Sequence, residues 1–597
     1  MGSIPAGTAI ICYGKVKMKK ISLVSVDSIR FNGLLGDGLR KTVATRLNAA
    51  NYTMLADPFR FRNEADNGWR CEFWGKVVRS AILAWKATGD EELLKKIRAT
   101  VQDIITTQTA DGCISSYPAE RQLGGWDVWG RKYILAGLIR YYELAEQDPA
   151  ILEVCKKLVD HLMTQVGPDA NSILKSGQHG GLAPASILFV IVKLYRYTQD
   201  EKYLDYAKWI ADTGCSEVHK IYDAAIAGTF PKDIGNGKAY EMMSCFLGLA
   251  ELYREVADER YFKAAVKFYE MVRDREIYIT GIGGLRDVVG EFWYNGKFNQ
   301  CTDEFGAHGE TCVTTTWIQY CYTILRLTED PTIADEIECS LYNGLLGAMM
   351  PDGSNFTHRN PDFTGGEWAC KIPAPDQIGL IFKTPYDGND CCKAQGPEGL
   401  AMALPCAAIR NDKCLNVNLF EDMEITFRTP SKQAAKLVIS GGYPLNGDVK
   451  LSLALSAPET FTLNVRIPAW QKSDVAAKIN GIPCPATPGT YLTLEREWKN
   501  GDTIELSFDL TPQLQKDPGG SGRIAFKVGP IVLAQDSRLN NGESDLPVSS
   551  DLPVRLETKE GFSQIWKTAN GVLLCDYMSA GNSFQREDRL TVWSKEA

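Results

Sequence analysis

From about residue 35 to 410 the apolar residues return every third or fourth position, segment after segment, with Gly, Asp and Asn turns between the segments. That spacing is the period of an amphipathic helix. It predicts helices through Val77 to Trp85, Tyr133 to Leu144, Ile187 to Tyr195, Met242 to Tyr253 and, beginning near Trp317, to Leu327. Three of these segments run into similar turns, Thr88-Gly89-Asp90, Thr198-Gln199-Asp200 and Thr328-Glu329-Asp330, a recurrence that points to helical hairpins set around an axis. Past residue 412 the period drops to two, the mark of half-buried strands, in Leu451 to Leu455, Phe461 to Ile467, Tyr491 to Leu494 and Thr503 to Phe508. Turns such as Asn480-Gly481 and Asn500-Gly501-Asp502 separate them. Two further strands, Ile524 to Val528 and Ile531 to Ala534, precede a poorly patterned tail. The fold class expected is multidomain α plus β. Its parts are an N-terminal segment over 1–34 carrying a strand of a β-sandwich, a helical barrel over 35–410, a β-sandwich over 411–520 and a second β region with a tail over 521–597.

Composition narrows the choices. Hydrophobic residues at 44% and charged residues at 23% give a globular chain with ample core. A net charge of -9 disfavours nucleic acid and anionic membrane as partners, since both need clustered Lys and Arg. No run of 18 apolar residues occurs, and the first twenty residues place their lysines after Ile10-Ile11-Cys12, the reverse of a secretory signal. Seventeen scattered cysteines fit a reducing compartment better than a disulfide scaffold, with Cys155, Cys245, Cys321 and Cys339 reading as buried small hydrophobes. A cytoplasmic or periplasmic monomer or homodimer is expected. Trp69, Phe73, Trp74, Trp126, Trp129, Trp293 and Tyr294 sit near Gly-rich turns, where rings at a barrel mouth stack on sugars; core packing is the other use of such rings.

The candidate chemistry lies in Glu310-Thr311-Cys312 and, about eighty residues on, Asp390-Cys391-Cys392. In an extended segment residues i and i+2 point the same way, which brings Glu310 and Cys312 to one ion, and the adjacent pair adds two thiolates. A Cys3Glu set suits tetrahedral zinc, because soft sulfurs disfavour Mg2+ and Ca2+. Buried, incidental thiols are the alternative that spacing alone leaves open.

Gly309-Glu310-Thr311-Cys312, Cys391-Cys392, Arg466-Ile467-Pro468-Ala469-Trp470 with Lys478-Ile479-Asn480-Gly481, Glu495 to Asp502 and Gly529-Pro530 together resemble glycoside hydrolase family 127, the β-L-arabinofuranosidase family, over about residues 30 to 540. The resemblance implies an (α/α)6 catalytic barrel with β-sandwiches behind it. It also implies Zn2+ held by Glu310, Cys312, Cys391 and Cys392, with Cys391 as nucleophile. The family's acid/base glutamate is matched by Glu291 in Gly290-Glu291-Phe292, with Glu304 and Asp303 as fallback acids. The activity implied is retaining exo-hydrolysis of a terminal β-L-arabinofuranose, or a related sugar, from plant pectic or glycoprotein glycans.

Two departures bear on the substrate. Lys393-Ala394-Gln395-Gly396 stands where the family follows its cysteine pair with Pro-Pro-Asn, and family histidines that meet the sugar are replaced near Trp126 to Tyr133 and Lys238 to Met243. Arg131 and Lys238, if both face the pocket, would clamp a carboxylate, which suggests an acidic, aceric-acid-like sugar; structural pairing with Asp127 or Glu241 is the other reading. Trp126, Trp129, His179 and His308 complete the expected substrate-binding set. A sugar epimerase or lyase on the same barrel, and a noncatalytic carbohydrate-binding protein with a structural zinc, are the competing functions.

Overall fold

The computed structural model describes residues 29–63, 69–285, 290–301, 308–362, 370–371, 390–411 and 414–597. Among these residues six helices close a ring: Phe73–Thr88, Asp127–Leu144, Leu188–Thr198, Ala239–Val256, Thr311–Thr328 and Cys391–Ala401, each packed on the next and the last on the first. A second layer, Glu91–Ile105, Pro149–Gln165, Glu201–Asp212, Glu259–Arg275 and Ile333–Cys339, packs outside. Leu34–Thr42 lies against both the first and the last inner helix. Layering explains the two textures of the helical region. Every residue from Ala239 to Tyr253 is buried, because an inner helix has neighbours on all sides, whereas the outer Glu259–Arg275 buries one face only.

The recurrent turns are the hairpin joints. Gly89, Gln199 and Glu329 take left-handed φ values of 73°, 52° and 55° and end their helices. The aspartate that follows restarts the chain: Asp90 accepts from Leu93 N at 2.7 Å, Asp200 from Lys202 N at 3.3 Å and Asp330 from Thr332 N at 2.9 Å. Ala257-Asp258 repeats the device, with φ 54° and a 3.0 Å bond from Arg260 N.

Behind the barrel a seven-stranded sheet runs Ile29–Phe31, Met423–Arg428, Ala434–Ser440, Asp448–Leu455, Thr503–Ser507, Ala476–Ile479 and Ile482–Cys484. A four-stranded sheet of Tyr491–Trp498, Glu459–Arg466, Cys414–Val417 and Ala408–Arg410 faces it, with Phe427 and Phe461 meeting between the two at 6.1 Å. Ile29 pairs with Ile425, so the start of the described chain belongs to this sandwich. A third sheet contains Ile524–Val528 and Ile531–Asp536. The tail read as poorly patterned adds to it Val554–Leu556, Ile565–Lys567, Leu573–Asp576 and Leu590–Thr591, strands of two to four residues that are too short to display a period.

Arg466 joins sandwich to barrel. It is fully buried, with one guanidinium nitrogen 2.5 Å from Glu338 and another on Asp335, both in the outer helix Ile333–Cys339, while its Nε donates to the Asn418 carbonyl at 2.6 Å. The Arg466 to Trp470 run therefore serves architecture. Among the described residues no helix is long and apolar enough to cross a membrane.

Candidate active site

Two inner helices start beside each other at the ring's end. Glu310 ends the strand His308–Glu310 and caps Thr311–Thr328: its Oε2 accepts from Val313 N at 2.8 Å, which leaves Oε1 to face the sulfurs. Asp390 caps Cys391–Ala401 in the same way, accepting from Cys392 N at 2.7 Å and Lys393 N at 3.3 Å. Cys391 and Cys392 thus occupy the first turn, where the helix dipole favours thiolate. Their sulfurs are 3.8 Å apart, and they lie 3.7 and 2.9 Å from Glu310 Oε1.

A fourth group enters from a short sheet. Glu310 pairs in register with Arg359, and this places the preceding residue, His358, at the cluster, with Nδ1 at 3.7 Å from Cys391 Sγ and 3.4 Å from Cys392 Sγ. One ligand atom from each of Glu310, His358, Cys391 and Cys392 lies within 4.8 Å of all the others. Cys312 is not among the four, although its thiol interacts with both cysteines. The chain turns helical at Thr311, so Glu310 and Cys312 do not share the extended geometry from which their joint approach was expected. Lys76 Nζ, held by Glu72 at 2.8 Å, is 3.6 Å from Cys312 Sγ.

The electrostatics are those of several acids buried together, with Lys76 and His358 as the basic groups beside them. Burial, then Glu291 and Cys391, push Glu310 well above the carboxylate range. Hydrogen bonding to Cys312 raises Cys391, while burial followed by the other two thiols raises Cys392. Burial opposes charge on His358, yet Cys391 and Asp390 outweigh it and raise the imidazole well above its ordinary value.

Glu291 sits in the field of this cluster and is ion-paired to Lys238. Burial would raise its carboxyl, but Lys238 and His358 overcome that and hold it at about 2. The backbone fixes the pair, since Ala239 N donates to the Glu291 carbonyl at 2.9 Å and Trp293 N to that of Gly237 at 2.9 Å.

A ring of helices with a sulfur-rich cluster and a nearby carboxylate at one end narrows the comparison to known families, and the model for the β-L-arabinofuranosidase, GH127 catalytic domain matches residues 27–403. The chain belongs to glycoside hydrolase family 127. The family's middle domain matches residues 414–510. The family 127 chain is 22% identical over 518 residues to the non-reducing end β-L-arabinofuranosidase of Bifidobacterium longum subsp. longum, covering 78% of this chain and 75% of that protein. Among solved structures it is similar to a GH127 β-arabinofuranosidase (TM-score 0.78, 20% identity, 97% of this chain and 98% of the other). It is also similar to the GH127 β-L-arabinofuranosidase from Geobacillus stearothermophilus T6 (TM-score 0.75, 19% identity, 95% and 100%).

Across the ring, this family 127 member arranges the other predicted residues unevenly. Trp126 meets Trp129 edge-on at 5.6 Å and His179 at a tilt at 5.3 Å, and His179 Nε2 is 3.8 Å from Glu241. Trp129 is buried and donates to Glu72 Oε2 at 2.6 Å. Lys238 is committed to Glu291. His308 is buried on the strand that carries Glu310, its carbonyl accepting from Tyr278 at 3.2 Å. Arg131 corrects the clamp expected of it: fully buried, it forks onto Asp127 at 3.1 and 2.7 Å and reaches Gln165 at 2.8 Å, so it ties an inner helix to an outer one. The fallback acids Asp303 and Glu304 lie outside the described residues.

Residues not anticipated fill the ring's interior. Tyr133 and Tyr240 share a hydroxyl contact, and Tyr240 donates to Gln395 at 2.8 Å. Lys132 lies 3.6 Å over the Trp129 ring and donates to Ser186 at 3.1 Å. His358 carried no sequence signal, because strand pairing, not spacing, brings it to Glu310.

Proposed function

We propose that the chain is a retaining exo-glycosidase that releases terminal β-L-arabinofuranose from plant glycans, with Cys391 as nucleophile and Glu291 as acid/base. The observation that carries this reading is the convergence of Glu310, Cys391 and Cys392 at two helix starts within the electrostatic reach of Glu291. Activity toward β-L-arabinofuranosides is what the named relatives contribute. With Arg131 bound to Asp127 and Lys238 to Glu291, the arrangement favours a neutral furanose over a carboxylated one.

The donors suit zinc: two thiols, a carboxylate and a neighbouring imidazole or third thiol make a soft set gathered at one point. Bound by Glu310, Cys391, Cys392 and one of the two flanking donors, Zn2+ would offset their charge and keep Cys391 a thiolate at neutral pH.

Cys391 then attacks the anomeric carbon, forming a C–S bond as the glycosidic C–O bond breaks and Glu291 protonates the departing oxygen. In the second half Glu291 takes a proton from water, whose oxygen displaces the sulfur and regenerates the thiolate with retention. The ion pair with Lys238 keeps Glu291 ionised, the state the second half needs. The first half requires Lys238 to release Glu291 as substrate enters.

The test is Cys391→Ser assayed on an aryl β-L-arabinofuranoside with metal analysis alongside. Turnover is expected to fall by roughly 10³-fold or more with zinc retained. Undiminished release of sugar ends the nucleophile assignment, and an epimerised or unsaturated product ends the hydrolase reading.

A further inference from the structure

We infer that Glu241 is a specificity-determining residue whose carboxylate accepts hydrogen bonds from hydroxyls of the sugar inside the ring. The inference rests on the reading of this site as that of a glycosidase and adds a recognition residue to it. Glu241 lies in the first turn of the inner helix Ala239–Val256, whose cap, Lys238, pairs with Glu291. It is 2% exposed, yet among the described residues its Oε2 has no hydrogen-bond partner, and its Oε1 stands 3.8 Å from His179 Nε2, too long for a hydrogen bond. Lys238, three residues earlier, is turned to Glu291 instead. A buried carboxylate without donors costs free energy, and native interiors keep few of them. Such a group marks a place where a ligand supplies the donors.

The carboxylate faces the interior of the ring. Its field reaches Glu72, just before Phe73–Thr88, the helix opposite its own, and Lys132 on Asp127–Leu144, as well as Lys238 and His179. Among the described residues no ion pair joins it to Lys132, which donates to Ser186. The walls beside it are apolar rings: His179 meets Trp126 on one side at 5.3 Å and Phe292 on the other at 6.4 Å. His179 is held there with a left-handed φ of 59°, backbone strain of the kind kept at ligand sites. Aromatic faces around one acceptor-only group form a site for an apolar ring face edged with O–H donors, which is the surface a neutral sugar presents. A carboxylated sugar would bring a second anion to the same place.

Aryl β-L-arabinofuranosides deoxygenated in turn at C2, C3 and C5 complete a double-mutant cycle with Glu241→Ala. On the parent substrate the variant should lose about 10- to 100-fold in kcat/KM, the range of one hydrogen bond to a charged group. On one deoxy substrate, the one lacking the hydroxyl that Glu241 holds, wild type and variant should differ by less than about threefold. Losses that multiply on all three overturn the inference and leave the hydrolase reading standing. Glu241→Gln controls for folding: it should melt at or above the wild-type temperature, because it removes an unpartnered buried carboxylate, and a clear drop would make Glu241 a structural group. Calorimetry with 1,4-anhydro-L-arabinitol, a furanose ring with no leaving group, separates the two readings. Binding that Glu241→Ala weakens by about tenfold or more, in a chain that releases no sugar from the aryl glycosides, would sink the hydrolase reading and sustain the inference. A chain that neither binds this probe nor turns over the glycosides overturns both.

Discussion

On one side of the ring, the helices that start at Thr311 and Cys391 present groups that are adjacent in sequence and placed by capping: Glu310 and Asp390 close the helices, and Cys391 and Cys392 follow in the first turn. On the other side, Asp127–Leu144 presents Trp129, Lys132 and Tyr133 to the interior and turns Arg131 outward to Asp127 and Gln165. Each residue along a helix turns the side chain by about 100°, so neighbouring cations there have opposite employment. Chemistry that depends on helix starts is set locally. Chemistry that depends on helical phase is set by which face the ring buries.

Glu291 lies between the two sides, paired with Lys238 and in the field of His358 and Glu310, so its removal has the largest expected effect. Glu291→Gln should lower kcat by roughly 10²–10⁴-fold on substrates with poor leaving groups and by less on activated aryl glycosides. Azide, which needs no base, should restore turnover on the activated substrate. Equal losses on both substrates without rescue would move the acid/base role elsewhere.

Arg131→Ala tests the outward-facing cation. Removing it strands Asp127, which is buried and, among the described residues, keeps only its side-chain bonds from Ser115 and Leu123, so unfolding should become easier by about 3–5 kcal/mol. KM for a neutral arabinofuranoside should not change. A thermal melt and a KM determination on one preparation decide it: raised KM with unchanged melting would return Arg131 to the pocket.

The legibility of the sequence follows the same division. The inner helices and hairpin joints were readable because an αL residue followed by a capping aspartate recurs at Gly89-Asp90, Gln199-Asp200 and Glu329-Asp330. The cysteine pair was readable because its two members adjoin in sequence, and Glu310 because it stands two residues before Cys312 in a Glu-Thr-Cys run. The first turn of the Thr311 helix was not, since Thr311, Val313 and Thr314 to Thr316 are β-branched and carry no helical apolar stripe. His358 was hidden because a register between two three-residue strands brings it to the site. Arg131 was misplaced because its neighbours permit either face until the outer helix Pro149–Gln165 supplies Gln165 and Asp127 turns to meet it.

Lys132, one residue from Arg131, gives the smallest effect and the sharpest contrast. Burial, then Arg79, push its ammonium down to about 7, and among the described residues no carboxylate pairs with it. In the unfolded chain the group ionises near 10.4, so between about 7 and 10.4 the unfolded state binds the extra proton and wild-type stability rises with pH. Below about 7 the folded chain carries the whole cost of a buried charge. Lys132→Met should therefore stabilise the protein by something on the order of 2–4 kcal/mol at pH 6, with the gain fading as pH approaches 10. If this buried ammonium beside Trp129 and Tyr133 serves recognition, kcat/KM should fall about tenfold in the same variant. Melting curves from pH 6 to 10 with matched kinetics separate the outcomes: greater stability with full activity would make Lys132 a tolerated core charge, and lower stability at pH 6 would mean that its contacts with Ser186 and the Trp129 ring outweigh its burial.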